Sequence, residues 1–405
     1  MENKLPKGWQ VVKLGDVVEH VKDKIPNREE WNFDRYIGGE HFEEGEIRIT
    51  RSAPIEGNEE VIGSAFHIRF KPGQVLYVTR NPRLRKGGIV DFEGVCSNVT
   101  FTLESKDGKL LQKLLPFIIQ TESFTKHACN SAHGSTNPFL NWKDIASYDL
   151  LLPPINEQNK IAEVLWSIEK AIMDEEVMSK SLSKFKELIT DQLLLNGLTH
   201  SNFKKTPIGP IPDSWEFIKI GEAININPDG MTYKKGDTIK YIDISTITET
   251  GLIGEPTLYE FSEAPSRARR SIQKEDVLIS MVRPYLKAFA KVNLDDKNLV
   301  CSTGFAVLRE TNRILSDYIY QFVLSNIFMN QVEVSMVGSN YPAINQGDFN
   351  KFIIPLPPID EQKKIINVLN KIELVSRQHK NNLYSLKALR QKLMNELLLG
   401  KTRLE

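Results

Sequence analysis

Two stretches of the chain carry one hydrophobic pattern in one register. In the first, Ile161, Leu165, Ile168, Ile172, Met178, Leu182, Phe185, Ile189 and Leu193 follow steps of mostly four and three, interrupted at Glu175. In the second, Ile365, Leu369, Ile372, Leu383, Leu386, Leu393 and Leu397 do the same, with polar breaks at Ser376 and His379. Such spacing leaves a narrow apolar stripe, the seam of a coiled coil rather than the broad face of a globular helix. Upstream of each stretch stands a double proline, Pro153-Pro154 and Pro357-Pro358, which bars a helix there. Asn156 and Asp360 follow as candidate N-caps, and no proline or glycine occurs again until Gly197 and Gly400. Each stretch predicts a helix of roughly 40 residues, about 60 Å long at 1.5 Å per residue. A helix of that length, packed only on its own small domain, would strand its stripe in water. The pattern instead predicts two helices packed against each other, antiparallel.

The duplication extends beyond the helices. Each half opens on a Pro-x-x-Trp phrase, Pro6 to Trp9 and Pro212 to Trp215. A strand-like run (73–79; 275–281) leads each time into a basic loop around a proline, Arg80-Asn81-Pro82-Arg83-Leu84-Arg85-Lys86 and Val282-Arg283-Pro284-Tyr285-Leu286-Lys287. Cys96-Ser97-Asn98 is answered by Cys301-Ser302-Thr303. Then come a helical stretch (109–127; 315–333), a Gly-Ser loop (134–138; 338–342) and a last strand into the double proline. Short strands and helices in alternation predict an α/β or α+β domain in each half. The expected organisation is a globular domain over 1–152, a helix over 153–200, a second domain over 201–356 and a second helix over 357–405.

Composition changes this picture little. With 405 residues, 40% hydrophobic and 26% charged, the chain has room for two or three ordinary globular cores. No signal-peptide pattern or long apolar run is present, and Cys96, Cys129 and Cys301 are few, odd in number and unclustered. A reducing cytoplasm is the expected location. Net charge is zero, which argues against a general nucleic-acid coat but leaves room for a local basic face.

The two Leu-Pro-Pro-Ile-x-Glu-Gln openings, their Leu-rich exits, the Pro-x-x-Trp phrases and the paired Arg-Pro loops together resemble the specificity (S) subunit of a Type I restriction–modification enzyme over essentially the whole chain. The resemblance implies two target recognition domains, each reading one half of a split sequence in double-stranded DNA. It implies a helical pair that sets the spacing and docks two methyltransferase (M) subunits, with restriction (R) subunits joining through the complex. No cofactor is expected on this chain; S-adenosylmethionine, ATP and Mg would sit on the partners.

Reading a base edge in the major groove needs Arg or Lys for guanine and Asn or Gln for adenine, while phosphates take Lys, Arg and free amides. In the first domain the candidates are Arg80, Asn81, Arg83, Arg85 and Lys86, with Arg48 and Arg51. In the second they are Arg283, Tyr285 and Lys287, with Lys234, Lys235, Arg267, Arg269 and Arg270. Ser135, Asn137, Ser339 and Asn340 on the Gly-Ser loops are a second tier. Catalytic readings are thinner. Asn137-Pro138-Phe139 falls short of an adenine methyltransferase motif, and no Walker-type phosphate loop occurs. Asp91, Glu104 and Lys106 only faintly suggest a nuclease, and His127, Cys129 and His133 lack a fourth metal ligand. A coiled-coil scaffold with two protein-binding domains is the rival from another class.

Overall fold

The computed structural model describes residues 5–106, 108–230, 233–336 and 342–404. The chain divides into two compact units, Met1–Val177 with Asn381–Glu405, and Met178–Lys380. Each unit therefore takes one end of each long helix, Ile155–Asn196 and Ile359–Leu397. Among the described residues no helix is long and apolar enough to cross a membrane.

The first unit holds two four-stranded sheets. One is antiparallel, in the order Val18–Val21, Thr100–Ser105, Val75–Val78, Gly87–Ile89. The other runs Ala53–Pro54, Arg35–Ile37, Gly94–Ser97, Phe66–Phe70, with a parallel central pair. Gln10–Lys13 pairs with Asp149–Leu152, so the Pro-x-x-Trp phrase lies beside the strand that ends in the double proline. The run Val75–Val78 is buried on both faces, which is why its sequence is continuously apolar rather than alternating.

The second unit repeats this plan. Its sheets run Asn225–Ile226, Phe305–Arg309, Val277–Ser280, Phe289–Lys291, and Thr257–Glu260, Thr238–Ile242, Leu299–Ser302, Ala268–Ser271. Glu216–Lys219 pairs with Ile353–Leu356. The mixed α/β class read from the sequence holds in both halves.

Within the first unit the two helical segments run antiparallel, because partner numbers fall as helix numbers rise: Glu157 meets Arg403 at 2.9 Å, Glu169 meets Arg390 at 2.6 Å, and Glu176 meets Lys387 at 2.7 Å. In the second unit Glu361 meets His200 and Glu373 meets Lys186, again antiparallel. The predicted seam is buried chiefly where the helices join a domain core. Ile161, Leu165, Met394 and Leu397 lie in one core of the first unit, with Leu393 packed against it, and Ile172 is buried too. Leu193, Ile365 and Leu369 lie in one core of the second, with Ile189 packed against it. Ile168, Leu182, Ile372, Leu383 and Leu386 are half-buried.

Two seam positions depart from expectation: Phe185 and Met178 are 52% and 51% exposed. A strict four-and-three repeat drifts on a straight α-helix. By that turn the inward position is Lys186, whose amine pairs with Glu373. The expected caps also move by two residues, to Pro154 and Pro358. The helices begin at Ile155 and Ile359, so Asn156 and Asp360 lie inside the first turn, with Pro154 and Pro358 carbonyls accepting its first amides.

The repeated Glu-Gln pair explains itself here. Gln158 is buried; its Oε1 accepts from Leu111 N and its Nε2 donates to the Lys109 and Pro153 carbonyls, all at 2.9 Å. Gln362 does the same with Leu315 N, Arg313 O and Pro357 O. Glu157 accepts from the Trp9 indole at 3.0 Å, and Glu361 from the Trp215 indole at 2.9 Å. The Pro-x-x-Trp phrase and the helix start are thus two sides of one bolt in each unit. A glycine at φ +64 follows each helix, Gly197 directly after Asn196 and Gly400 three residues past Leu397. A Cβ on Gly197 would stand 2.6 Å from the Glu361 carboxylate, so that turn needs glycine for space as well as for backbone sign.

Candidate nucleic-acid interface

The Arg-Pro loop has the same backbone in both units. In the first, Asn81 (φ 50) and Arg85 (φ 47) adopt the left-handed conformation on either side of a single 3₁₀ turn, Pro82–Leu84. In the second, Arg283 (φ 47) and Lys287 (φ 49) flank Pro284–Leu286. None of the four is glycine, so each costs about 1–2 kcal/mol that surrounding contacts must offset.

Those contacts are of matching kind. Asn81 N donates to Pro138 O at 2.8 Å, and Arg283 N donates to Pro342 O at 2.8 Å. The turn closes through Arg85 N to Pro82 O at 3.1 Å, and Lys287 N to Pro284 O at 2.9 Å. Arg85 O accepts from Gly45 N and from the buried Gln120 amide. Lys287 O accepts from the Thr250 hydroxyl at 2.8 Å. The proline is buried in each loop, while the residue after it, Arg83 or Tyr285, is exposed. The fold thus spends strain on aiming one side chain outward.

The bond to Pro138 zips the Arg-Pro loop to the Gly-Ser loop, so residues ranked in two tiers by sequence share one surface. Asn81 Nδ2 donates to Asn137 Oδ1 at 3.0 Å, and Arg80 lies 5.0 Å over the Phe139 ring while donating to Asn137 O. Ser135 is exposed on the same loop. In the second unit the expected Ser339 and Asn340 lie outside the described residues.

Other candidates are placed elsewhere or engaged. Arg48 pairs with Asp91 at 3.1 Å and lies 6.0 Å from the Trp166 ring, facing the first long helix. Arg51 pairs with Glu43 at 3.0 Å, and Lys86 donates to Gly39 O at 2.7 Å. Lys234 and Lys235 are exposed on a turn closed by Asp237, and Arg267 is exposed nearby in sequence to Arg269, which lies 5.4 Å over Phe261. Arg270 is turned inward: it is half-buried beside Cys301, Nη1 has no hydrogen-bond partner, and burial pulls its pKa down. The faint nuclease trio does not converge, since Asp91 holds Arg48, Glu104 accepts from Gln74 and Lys106 donates to Gly15 O. His127 bonds to the Asp144 backbone carbonyl at 2.8 Å and His133 to the Asp144 carboxylate at 3.0 Å, and Cys129 is a free, exposed thiol.

One group near the loop titrates close to neutrality. Burial pushes Glu46 from its ordinary 4.5 up to about 7, against the opposing pull of its bond from Glu43 N and of Arg51. The folded state then keeps a proton that the unfolded chain releases. Stability of the first unit is expected to fall as pH rises from about 4.5 to about 7 and to level off above. Urea midpoints at pH 5 and pH 8 check this: Glu46→Gln should flatten the difference, and an unchanged difference would assign it to other groups.

With this geometry in place, comparison with known proteins is decisive. A sequence profile described as the Type I restriction modification DNA specificity domain matches residues 6–177 and again 212–387. The chain belongs to that family. The two matches to the DNA specificity domain are the two halves whose sheets and loops repeat above. Among relatives of the family, the Type I restriction enzyme MjaVIII specificity subunit of Methanocaldococcus jannaschii is 22% identical over 99% of this chain and 95% of its own. The EcoDI specificity subunit of Escherichia coli is 21% identical over 76% of this chain and 77% of its own. A chain solved in work on complex assembly and conformational transition of the type I R-M system has a TM-score of 0.61 at 20% identity, covering 98% of each chain. The S subunit from M. genitalium has a TM-score of 0.57 at 14% identity, covering 98% of this chain and 97% of its own. These likenesses establish the shared fold of the DNA specificity family, two mixed domains with two long helices. They leave the assignment of individual side chains to the geometry above.

Proposed function

We propose that this chain is the DNA-recognition subunit of a type I restriction–modification complex, with each mixed domain reading one half of a split site. The observation that carries this reading is the pair of Arg-Pro loops: one backbone, twice, presenting unlike side chains. Asn81, Arg83 and Arg85 stand where the second unit has Arg283, Tyr285 and Lys287. A common scaffold with different donors and acceptors is what two readers of different half-sites require. The long helices, shared between the units, supply the spacer. Their exposed apolar residues offer docking surfaces for two M subunits, namely Phe185, Leu188, Leu374 and Val375 on the second unit, and Tyr384 and Leu389 on the first. Methyl transfer and cleavage, with S-adenosylmethionine, ATP and Mg, belong to the partner M and R subunits.

Sequencing the modified bases in cells that carry this chain and its methyltransferase partner should reveal a single split motif. Methylation of duplexes altered one half at a time then tests the residues. Arg83→Ala is expected to weaken or relax the first half-site alone, and Arg283→Ala the second alone, by about 1–3 kcal/mol where a bidentate base contact is lost. Equal losses at both halves would count against separate readers.

A further inference from the structure

Beside the Arg-Pro loop of the first unit lies a groove of about 400 Å³ that the loop itself does not fill. Its walls include His20 on the edge strand and Lys22 just past its end, Arg80, Asn98 from the turn before Thr100, and Asn141 and Trp142 from a helix start. Lys22, Arg80, Asn98 and Asn141 are exposed, and no carboxylate occurs among the described residues that line the groove. Two cations without an anion favour a phosphate-bearing partner, and two amides can pair with a base edge. His20 adds no charge at neutral pH, because burial, aided by Lys22, pulls it down to about 4.

The second unit provides an internal comparison. Strand register sets His20 opposite Leu103 and Ile226 opposite Leu308, on strands that pair alike. By that alignment His20 is replaced by Ile226, Lys22 by Pro228, Arg80 by Val282 and Asn98 by Thr303, and the two helix starts set Trp142 against Gln346 and Asn141 against Asn345. The strand order is kept, the edge strand shortens from Val18–Val21 to Asn225–Ile226 before a left-handed Asn227 (φ 51), and the cationic and aromatic side chains are lost. The strand order shared by the two sheets therefore does not depend on these side chains.

We propose that this groove is a second DNA-reading surface belonging to the first domain alone: it takes the strand that runs on from the Arg-Pro loop, with Lys22 and Arg80 on its phosphates and Asn98 and Asn141 on a base edge. The inference rests on the proposed function and extends it, since the first half-site is then specified over more base pairs than the second.

The test uses the full chain assembled with its methyltransferase partner, on duplexes carrying the split motif found by sequencing and changed one base pair at a time. Asn98→Ala and Asn141→Ala are expected to lose roughly 5- to 150-fold discrimination at one or two positions of the first half-site and none in the second. Lys22→Ala is expected to weaken binding to all sequences and to make the salt dependence shallower by about 0.9 in log–log slope. Asn98→Ser and Lys22→Gln, with unchanged thermal midpoints, guard against misfolding. Parental discrimination and salt slope in all of these variants would overturn the groove. Arg83→Ala separates the two failures: if it relaxes the first half-site while the groove variants do not, only the groove is lost, and if none has an effect, DNA reading by this face fails with it.

Discussion

Replacing Glu169 with alanine is expected to destabilise the first unit by about 3–5 kcal/mol, the cost of leaving one member of a buried ion pair alone. Glu169 and Arg390 meet at 2.6 Å with side chains only 6% and 11% exposed. Arg390 also donates to Gly45 O, and Gly45 N in turn donates to Arg85 O of the Arg-Pro loop. The pair therefore joins the two helical segments of this unit and backs the loop as well. Its twin in the second unit, Glu373 with Lys186, occupies the same register but is 38% and 27% exposed. Solvent screening there should hold the loss from Glu373→Ala to about 1 kcal/mol or less. Hydrogen exchange of the amides over 155–177, compared with those over 359–380, reads each unit separately. Replacing Glu169 and Arg390 together by leucine and methionine should recover much of the loss, because the orphaned charge is the main penalty. Similar costs for the two twins would show that burial does not govern them.

The long helices, the duplicated domains and the loops were legible because each has a local signature. Double prolines stop a strand, glycines at 197 and 400 close a helix, and a stripe with steps of four and three needs a partner. What was not legible depends on contacts between residues far apart in sequence. Glu157 and Gln158 read only as a helix start; that one accepts from Trp9 and the other from Leu111 follows from packing. Phe185 matched the stripe by spacing, yet helical drift turns it outward and Lys186 inward. Among basic residues, composition could not separate Arg83, exposed on a braced turn, from Arg270, half-buried against a neighbouring strand. His20, Asn98 and Asn141 gave no signal singly. The change from Asn98 to Thr303 inside the matched Cys-Ser phrase was the one trace that position-by-position comparison of the halves could have followed.

Exchanging the loop side chains is expected to change what the first domain reads while leaving its fold intact. The left-handed angles at Asn81 and Arg85 (φ 50 and 47) and at Arg283 and Lys287 (φ 47 and 49) agree within a few degrees, and both turns bond to the same neighbouring carbonyl position, Pro138 or Pro342. The combined change Asn81→Arg, Arg83→Tyr and Arg85→Lys thus asks for no new backbone conformation. It removes the Asn81 amide's bond to Asn137 and places a phenol where a guanidinium stood. Arg binds guanine O6 and N7 bidentately, whereas Tyr offers one hydroxyl and a ring face, so each altered contact should shift preference by about 1–3 kcal/mol. Sequencing of modified bases should show a first half-site changed at one to three positions and a second half-site unchanged. Stability, read from thermal unfolding, should change by no more than surface substitutions usually cause, about 0.5 kcal/mol per site. If the parental motif is methylated unchanged, the loops are structural turns and specificity lies elsewhere on the domain. If both half-sites change together, the two units do not read independently, and the shared helices must transmit more than spacing.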